Sequence, residues 1–269
     1  MAAPHVADDQ EPEVVLERRD CVAIVTINRP RKRNPLTHTL ADAFLAALDE
    51  AERDRDIRAV VLTGAGTVFC SGAELGTLVK PEGHEDLEDQ FIAVRSHCRM
   101  VQRIKELDLP VIAAVNGPAI GGGVALALCC DLALAVPETK YHFAFGRIGL
   151  GAWDMACTYH LPKLVGTMRA NEWLLTSAVV EAEEGKQAGL FLDLVPADQL
   201  LDRAVELGRK IAEGAPRRAI AGTKLSLVRA ADADLGSVLA YEAYTQNYLF
   251  QRTEHKEMLS NLMSNLRKK

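Results

Sequence analysis

Asn116-Gly117-Pro118-Ala119-Ile120-Gly121-Gly122-Gly123 separates two apolar runs, Val111-Ile112-Ala113-Ala114-Val115 before it and Val124-Ala125-Leu126-Ala127-Leu128-Cys129-Cys130 after it. The first run is short, apolar and closed by turn residues, which is the pattern of a buried strand. The second, opened by the three glycines, reads as an apolar helix through residue 130, and residues 132–136 resume strand character. Strand, glycine turn, helix and strand in that order indicate an α/β domain with largely parallel pairing.

The same alternation extends upstream. Val22, Ile24, Val25, Thr26 and Ile27 make a β-branched strand over residues 21–27, ended by Asn28-Arg29-Pro30. A basic loop, Arg31-Lys32-Arg33-Asn34-Pro35, then leads into an amphipathic helix. Its apolar positions are Leu36, Leu40, Phe44, Leu48 and Ala51, with Asp42, Asp49, Glu50 and Glu52 outside. Residues 59–62 form a second buried strand, stopped by Gly64-Ala65-Gly66. The polar stretch 81–89 reads as an exposed, mobile connection, and a helix follows over 91–107. Downstream of Pro196 the pattern changes: residues 199–213, 216–230, 235–250 and 253–267 all read as helices with no strand between them. Their apolar stripes need a surface, either on their own core or on a neighbouring subunit.

Composition narrows the class. The 269 residues are 48% hydrophobic and 25% charged, enough for a sizeable core. Lys and Arg number 31 against 37 Asp and Glu, a formal net charge of −6, so the chain as a whole lacks the basic footprint of a nucleic-acid binder. No apolar run approaches the ~20 residues of a membrane-spanning helix. Residues 1–13 are acidic and read as a disordered tail, with neither a signal-peptide nor a transit-peptide pattern; a cytoplasmic address is expected. The six cysteines contain no CxxC pair, which argues against zinc ligation and a disulfide framework, and Cys129-Cys130 in their apolar run are expected as reduced, buried thiols. The expected organisation is a tail over 1–13, an α/β core over 14–198 and a helical region over 199–269.

Two segments carry glycines beside small residues at a helix entry: Phe69-Cys70-Ser71-Gly72-Ala73-Glu74-Leu75 and the 116–123 stretch. Each, taken alone, fits either close strand–helix packing or a site where unpaired backbone N–H groups hold a developing oxyanion. In order, they make a wider pattern. Thr26-Ile27-Asn28-Arg29-Pro30 with Lys32-Arg33-Asn34, Phe69 to Leu75, Ala114-Val115-Asn116-Gly117 with the triple glycine, Cys130-Asp131-Leu132, Leu161-Pro162-Lys163-Leu164-Val165-Gly166, and Ala188-Gly189-Leu190 with Val195-Pro196 resemble the crotonase (enoyl-CoA hydratase/isomerase) family from about residue 14 to the C-terminus.

That resemblance implies a ββα spiral core with a C-terminal helical trimerisation region, assembled as a homotrimer or a dimer of trimers. It implies an acyl-CoA thioester substrate, coenzyme A entering as part of that substrate, and no separate cofactor. The family's two oxyanion-binding N–H groups correspond here to Ala73 and Gly122. Its CoA pocket corresponds to Arg29, Lys32 and Arg33 and to Ser71 and Ala73 of the first loop, although Lys32 and Arg33 read equally well as a solvated basic loop. Glu74 stands where the family often has an acid, and a loop-fixing hydrogen bond suits it better than chemistry. The family's acyl pocket corresponds to residues 77–91 and the loop near Trp153.

The chain departs from the family at the two glutamates that perform acid/base catalysis in typical hydratases: Ala125 and Phe145 occupy those positions. A methyl group and a phenyl ring relay no protons. Asp154 remains, either as a carboxylate able to shuttle a proton or position a water, as in dienoyl-CoA isomerase-like branches, or as the N-cap of the following helix. Tyr159 and His160 are expected in core packing, Arg147 at solvent, an ion pair or the ligand, and Asp131 in an architectural hydrogen bond. His38 and His142 have no evident partners in the sequence. Ser71 invites comparison with Clp-type serine peptidases, which share the broad fold, but no His/Asp pair accompanies it. A catalytically empty acyl-CoA-binding protein, or another crotonase reaction such as thioester hydrolysis or decarboxylation, are the competing readings. A Rossmann dinucleotide site is disfavoured because Gly117 and Gly121 to Gly123 lack GxGxxG spacing.

Overall fold

The computed structural model describes residues 11–74 and 87–266. Most of the expected acidic tail, and the stretch 75–86 within the expected connection and acyl pocket, lie outside the described residues. Pro12 and Glu13 are held: the Asn28 amide donates to the Glu13 carbonyl at 2.7 Å, and the Asn28 side chain donates to the Pro12 carbonyl at 3.1 Å.

β1 (Val14–Arg19) pairs antiparallel with β2 (Val22–Ile27) around a turn at Asp20. The basic loop is a short 3-10 turn over Pro30–Lys32. α1 (His38–Arg53) starts at Thr37, whose hydroxyl accepts the Leu40 amide at 3.1 Å, and buries Leu40, Phe44, Ala47, Leu48 and Ala51. Then follow β3 (Ala59–Gly64), α2 (Leu87–Glu106) and β4 (Val111–Val115). β5 (Ala119–Ile120), α3 (Gly122–Leu128), β6 (Leu132–Ala135) and β7 (Lys140–His142) come next.

A 3-10 turn over Ala144–Ile148 leads to α4 (Cys157–Val165), α5 (Thr167–Leu175), β8 (Val179–Glu181), α6 (Ala182–Ala188) and β9 (Asp193–Leu194). The chain closes with α7 (Ala197–Gly214), α8 (Arg217–Ala230), α9 (Leu235–Phe250) and α10 (Thr253–Leu266), in agreement with the helical pattern read from the sequence.

One sheet runs β1-β2-β3-β4-β6-β9, parallel throughout except at the β1–β2 edge; a smaller sheet runs β5-β7-β8. Alternate residues of the large sheet enter two apolar layers, as the two-residue period of a strand demands. Val25, Val60, Leu62, Ala113 and Val115 join the layer under α1, α2 and α3. Val22, Ile24, Val61, Ile112 and Ala114 join the other, which α7 covers with Leu200, Ala204 and Val205. α7 comes so close at Gly208 that a β-carbon there would lie 2.8 Å from Val22 Cγ2.

α8 is pinned to the core by a buried cation. Lys224 Nζ donates to the carbonyls of Ile104 (2.7 Å) and Leu109 (2.8 Å) and pairs with Asp131 at 2.9 Å. Asp131 also accepts the Val111 amide at 2.8 Å, the architectural role its sequence position suggested. α9 and α10 bury no residue within the chain and expose Leu239, Tyr244, Tyr248, Leu262 and Leu266.

Candidate active site

The first glycine loop is clamped on both sides. Leu36 donates its N–H to the Gly72 carbonyl at 2.7 Å and accepts the Glu74 amide at 3.2 Å. Gly72 and Glu74 are thus turned toward Leu36, so the N–H of Ala73 between them points to the opposite side. There the second loop begins: Phe69 donates to the Pro118 carbonyl at 3.1 Å and Ile120 to the Cys70 carbonyl at 3.0 Å. Gly72 has φ 78°, and a β-carbon on it would stand 2.6 Å from the Ile120 carbonyl oxygen and 3.3 Å from the Gly122 nitrogen. Only glycine satisfies both demands.

Gly122 opens α3, so its N–H has no partner in that helix. A β-carbon on Gly122 would lie 3.0 Å from Met155 Sδ, 3.2 Å from Leu36 Cδ1 and 3.6 Å from an Asp154 carboxylate oxygen. A backbone donor and a carboxylate therefore meet around one small residue.

Asp154 does not cap the following helix. The cap of α4 is Ala156, with φ 61° and no side-chain hydrogen bond, and Asp154 supplies only its backbone carbonyl, to Cys157 N at 2.9 Å. The N-cap reading fails because the left-handed Met155 and Ala156, at φ 46° and 61°, stand between Asp154 and the first helical turn, so the cap position falls on Ala156. Such residues cost roughly 1 kcal/mol or more each. Burial pushes the Asp154 carboxyl above its ordinary range, and the Met155 N–H partly restrains it.

The basic loop is ordered by Asn34, fully buried, with φ 55°. Its Oδ1 accepts the Arg29 amide at 2.9 Å, and its Nδ2 donates to the carbonyls of Ala65 (2.9 Å) and Val68 (2.7 Å). Ser71 N donates to the Arg33 carbonyl at 3.1 Å, joining this loop to the first glycine loop. Arg29 is largely buried against Glu13 (3.1 Å) and Glu74 (3.4 Å); Lys32 reaches Glu74 at 3.4 Å while remaining half exposed, and Arg33 is exposed. Glu74 thus fixes the loop, as expected of it.

A sequence profile of the enoyl-CoA hydratase/isomerase family matches residues 17–266. The chain belongs to that family. The short-chain-enoyl-CoA hydratase of Clostridium acetobutylicum is 31% identical over 249 residues, covering 92% of this chain and 93% of that one. The 4-chlorobenzoyl coenzyme A dehalogenase-1 of an Arthrobacter species is 30% identical over 207 residues, covering 77% and 75%. The solved enoyl-CoA hydratase/isomerase of Cupriavidus metallidurans CH34 superposes with a TM-score of 0.85 at 32% identity over 94% of each chain. The fold expected from the sequence, a crotonase α/β core followed by C-terminal helices, is the fold observed.

Within this enoyl-CoA hydratase/isomerase family chain, Ala125 and Phe145 are apolar and buried. Ala125 is fully enclosed in α3, and Phe145 is 4% exposed, with its ring 3.6 Å from the point where a β-carbon on Gly121 would lie. Phe145 packs against the glycine turn itself, so the wall beside it is hydrocarbon.

Other residues sort plainly. Arg147 is exposed, as expected. Tyr159 is not in the core: it is 40% exposed and hydrogen-bonds Asp232, which Lys163 also holds at 2.6 Å. It staples α4 to the α8–α9 turn, a long-range pairing no local pattern announces. His160 lies half-buried against the Tyr159 ring, and burial, with Lys105 and Lys163 nearby, pushes its pKa down to about 4. Asn116, read in the sequence only as part of the second glycine motif, also shapes the site. Its side chain accepts the Gly64 amide at 3.1 Å and donates to the Gly66 carbonyl at 2.8 Å. Among the described residues no group of three His, Cys, Asp or Glu side chains is placed to hold a metal, and no helix is long and apolar enough to cross a membrane.

Proposed function

We propose that this protein acts on an unsaturated acyl-CoA thioester, that the N–H groups of Ala73 and Gly122 hold the thioester oxygen as it gains enolate charge, and that Asp154 moves the proton. The observation that carries the reading is the Asp154 carboxylate oxygen, 3.6 Å from the β-carbon position of Gly122 and held above its ordinary pKa by burial. Loss of one oxyanion-hole donor typically costs about 2.7–4 kcal/mol of transition-state stabilisation. A single carboxylate beside them takes a proton from one carbon of the acyl group and returns it to another.

With Ala125 and Phe145 in place of the two glutamates, addition of water by a paired acid and base has no machinery here. The reaction proposed first is therefore migration of a double bond along the acyl chain; hydration with Asp154 alone orienting the water comes second. Acyl-CoA thioesters are named as substrates of relatives as different as the Clostridium hydratase and the Arthrobacter dehalogenase, which supports the substrate class rather than the reaction. Lys32 and Arg33 are the proposed contacts for the CoA phosphates, beside Ser71 and Ala73, with Arg29 and Glu74 bracing their loop. No cofactor enters this chemistry. The exposed apolar side chains of α9 and α10 are proposed to pack against two further copies in a trimer.

The test is turnover. Isomeric 2-enoyl- and 3-enoyl-CoA thioesters are incubated with the protein and products separated by chromatography, with calorimetry in parallel. Interconversion of the isomers, lost in Asp154→Asn with acyl-CoA affinity nearly unchanged, is the expected result. Binding with no product from any thioester would instead make this an acyl-CoA-binding protein, and full turnover in Asp154→Asn would remove Asp154 from the reaction.

A further inference from the structure

Gly122 has two apolar neighbours that the reaction above does not use. Around the point where it would carry a β-carbon stand Met155 Sδ at 3.0 Å and Leu36 Cδ1 at 3.2 Å, beside the Asp154 carboxylate oxygen at 3.6 Å. Both apolar side chains are almost fully buried. The main chain beneath all three is fixed. Leu36 is bonded through its N–H and its carbonyl to the first glycine loop, and Gly121 donates to the His142 carbonyl at 2.9 Å while accepting the Val124 amide at 3.0 Å. Met155, at φ 46°, sits between Asp154, whose carbonyl accepts the Cys157 amide, and Ala156, the cap of α4. A non-glycine residue keeps a left-handed backbone only where its surroundings hold it there.

We infer that Met155 is a specificity-determining residue: with Leu36 it walls the space at the α-carbon of the acyl group and confines the protein to thioesters unbranched at that carbon. The inference rests on the seat proposed above for the thioester oxygen. An oxygen held by the Gly122 N–H has the α-carbon two bonds away, and Asp154 exchanges a proton with that carbon only when the carbon lies against its carboxylate. Both conditions bring the α-carbon to the space where Met155, Leu36 and Asp154 meet. A carbon at the Gly122 β-position would already be nearer to Met155 and Leu36 than the about 3.5–4.0 Å of ordinary carbon contact. A methyl branch on the substrate therefore enters only by displacing one of them. The thioether is the adjustable wall, because it is unbranched and can be shortened without touching the main chain.

Calorimetry on the intact protein tests this with hexanoyl-CoA and the two enantiomers of 2-methylhexanoyl-CoA. Hexanoyl-CoA is expected to bind at least tenfold more tightly than either branched thioester, within the roughly 10–200-fold that one carbon decides in an apolar site. Met155→Ala should reduce that ratio to about threefold or less, and Met155→Leu, of similar volume, should retain it. Equal affinity of the parent protein for all three thioesters, or full discrimination in Met155→Ala, would overturn the assignment of Met155. Gly122→Ala separates this from failure of the seat. If it weakens hexanoyl-CoA binding about tenfold or more, the seat stands and Met155 alone is judged by the ratios. If it binds hexanoyl-CoA as the parent does, or if the parent binds no acyl-CoA, the seat and the inference both fall.

Discussion

The carboxylate of Asp154 stands 3.6 Å from the point where Gly122 would carry a β-carbon, so the candidate base and the candidate oxyanion donor share one small space. Gly122→Ala tests that space. The added methyl meets Met155 Sδ at 3.0 Å and Leu36 Cδ1 at 3.2 Å, both at ends of flexible side chains, so the fold should survive. Turnover should fall by about a hundredfold or more, because the methyl occupies the approach to the amide. Gly123→Ala is the contrast: its β-carbon would lie 2.3 Å from the Cys70 carbonyl oxygen, and backbone cannot yield. Soluble expression and melting of the two variants, with activity of the first, decide the matter.

Asp154 also makes a pH prediction. Activity needs the ionised carboxylate, and burial raises the pKa, so kcat/KM should fall on the acid side at a pH above the ordinary carboxylate value of about 3.9. For stability the sign reverses. A carboxyl whose folded pKa is raised stabilises the fold only when protonated, and that contribution is lost as pH rises through the shifted value. Asp154→Asn should therefore melt higher than the parent at pH 7 while losing turnover, and the gain should vanish near pH 3. An unchanged or lower melting temperature at pH 7 would contradict the burial argument.

Much of this was legible in the sequence, and what was not has physical causes. Long periodic segments such as Leu40 to Ala51, and the four terminal helices, declare themselves because their apolar spacing repeats over several turns. β5 and β7, of two and three residues, are too short to show any period, so the small sheet could not be foreseen. β1 escaped because its outer half is polar and exposed. In the site, the glycine loops were readable since only glycine fits their close approaches. Asp154 could be nominated, but its helix-cap alternative was settled only by the left-handed pair Met155 and Ala156, and non-glycine residues carry no signal for that conformation.

Lys224 should prove a stability residue without a catalytic role. Its ammonium binds two carbonyls and Asp131 in a buried position, although burial lowers its pKa. Lys224→Met should cost about 2–4 kcal/mol in urea denaturation, leaving Asp131 and the two carbonyls short of a donor. Activity per folded molecule should be preserved.

His160 should contribute a component to acid unfolding. Its folded pKa is about 4, below the ordinary value of about 6.5, so the unfolded chain takes up the proton first and stability falls as pH drops between those values. Replacing it, as in His160→Gln, should flatten the fall of stability over that window. Parallel slopes for the two proteins would show that His160 is free to protonate in the folded state.

The most direct measurement is a crystal structure of the Asp154→Asn variant with an unsaturated acyl-CoA bound. The thioester oxygen should lie about 3 Å from both the Ala73 and the Gly122 nitrogens, with the introduced side-chain amide over the acyl carbons next to it. A thioester oxygen bound elsewhere, or amides of Ala73 and Gly122 aimed at different points, would contradict it.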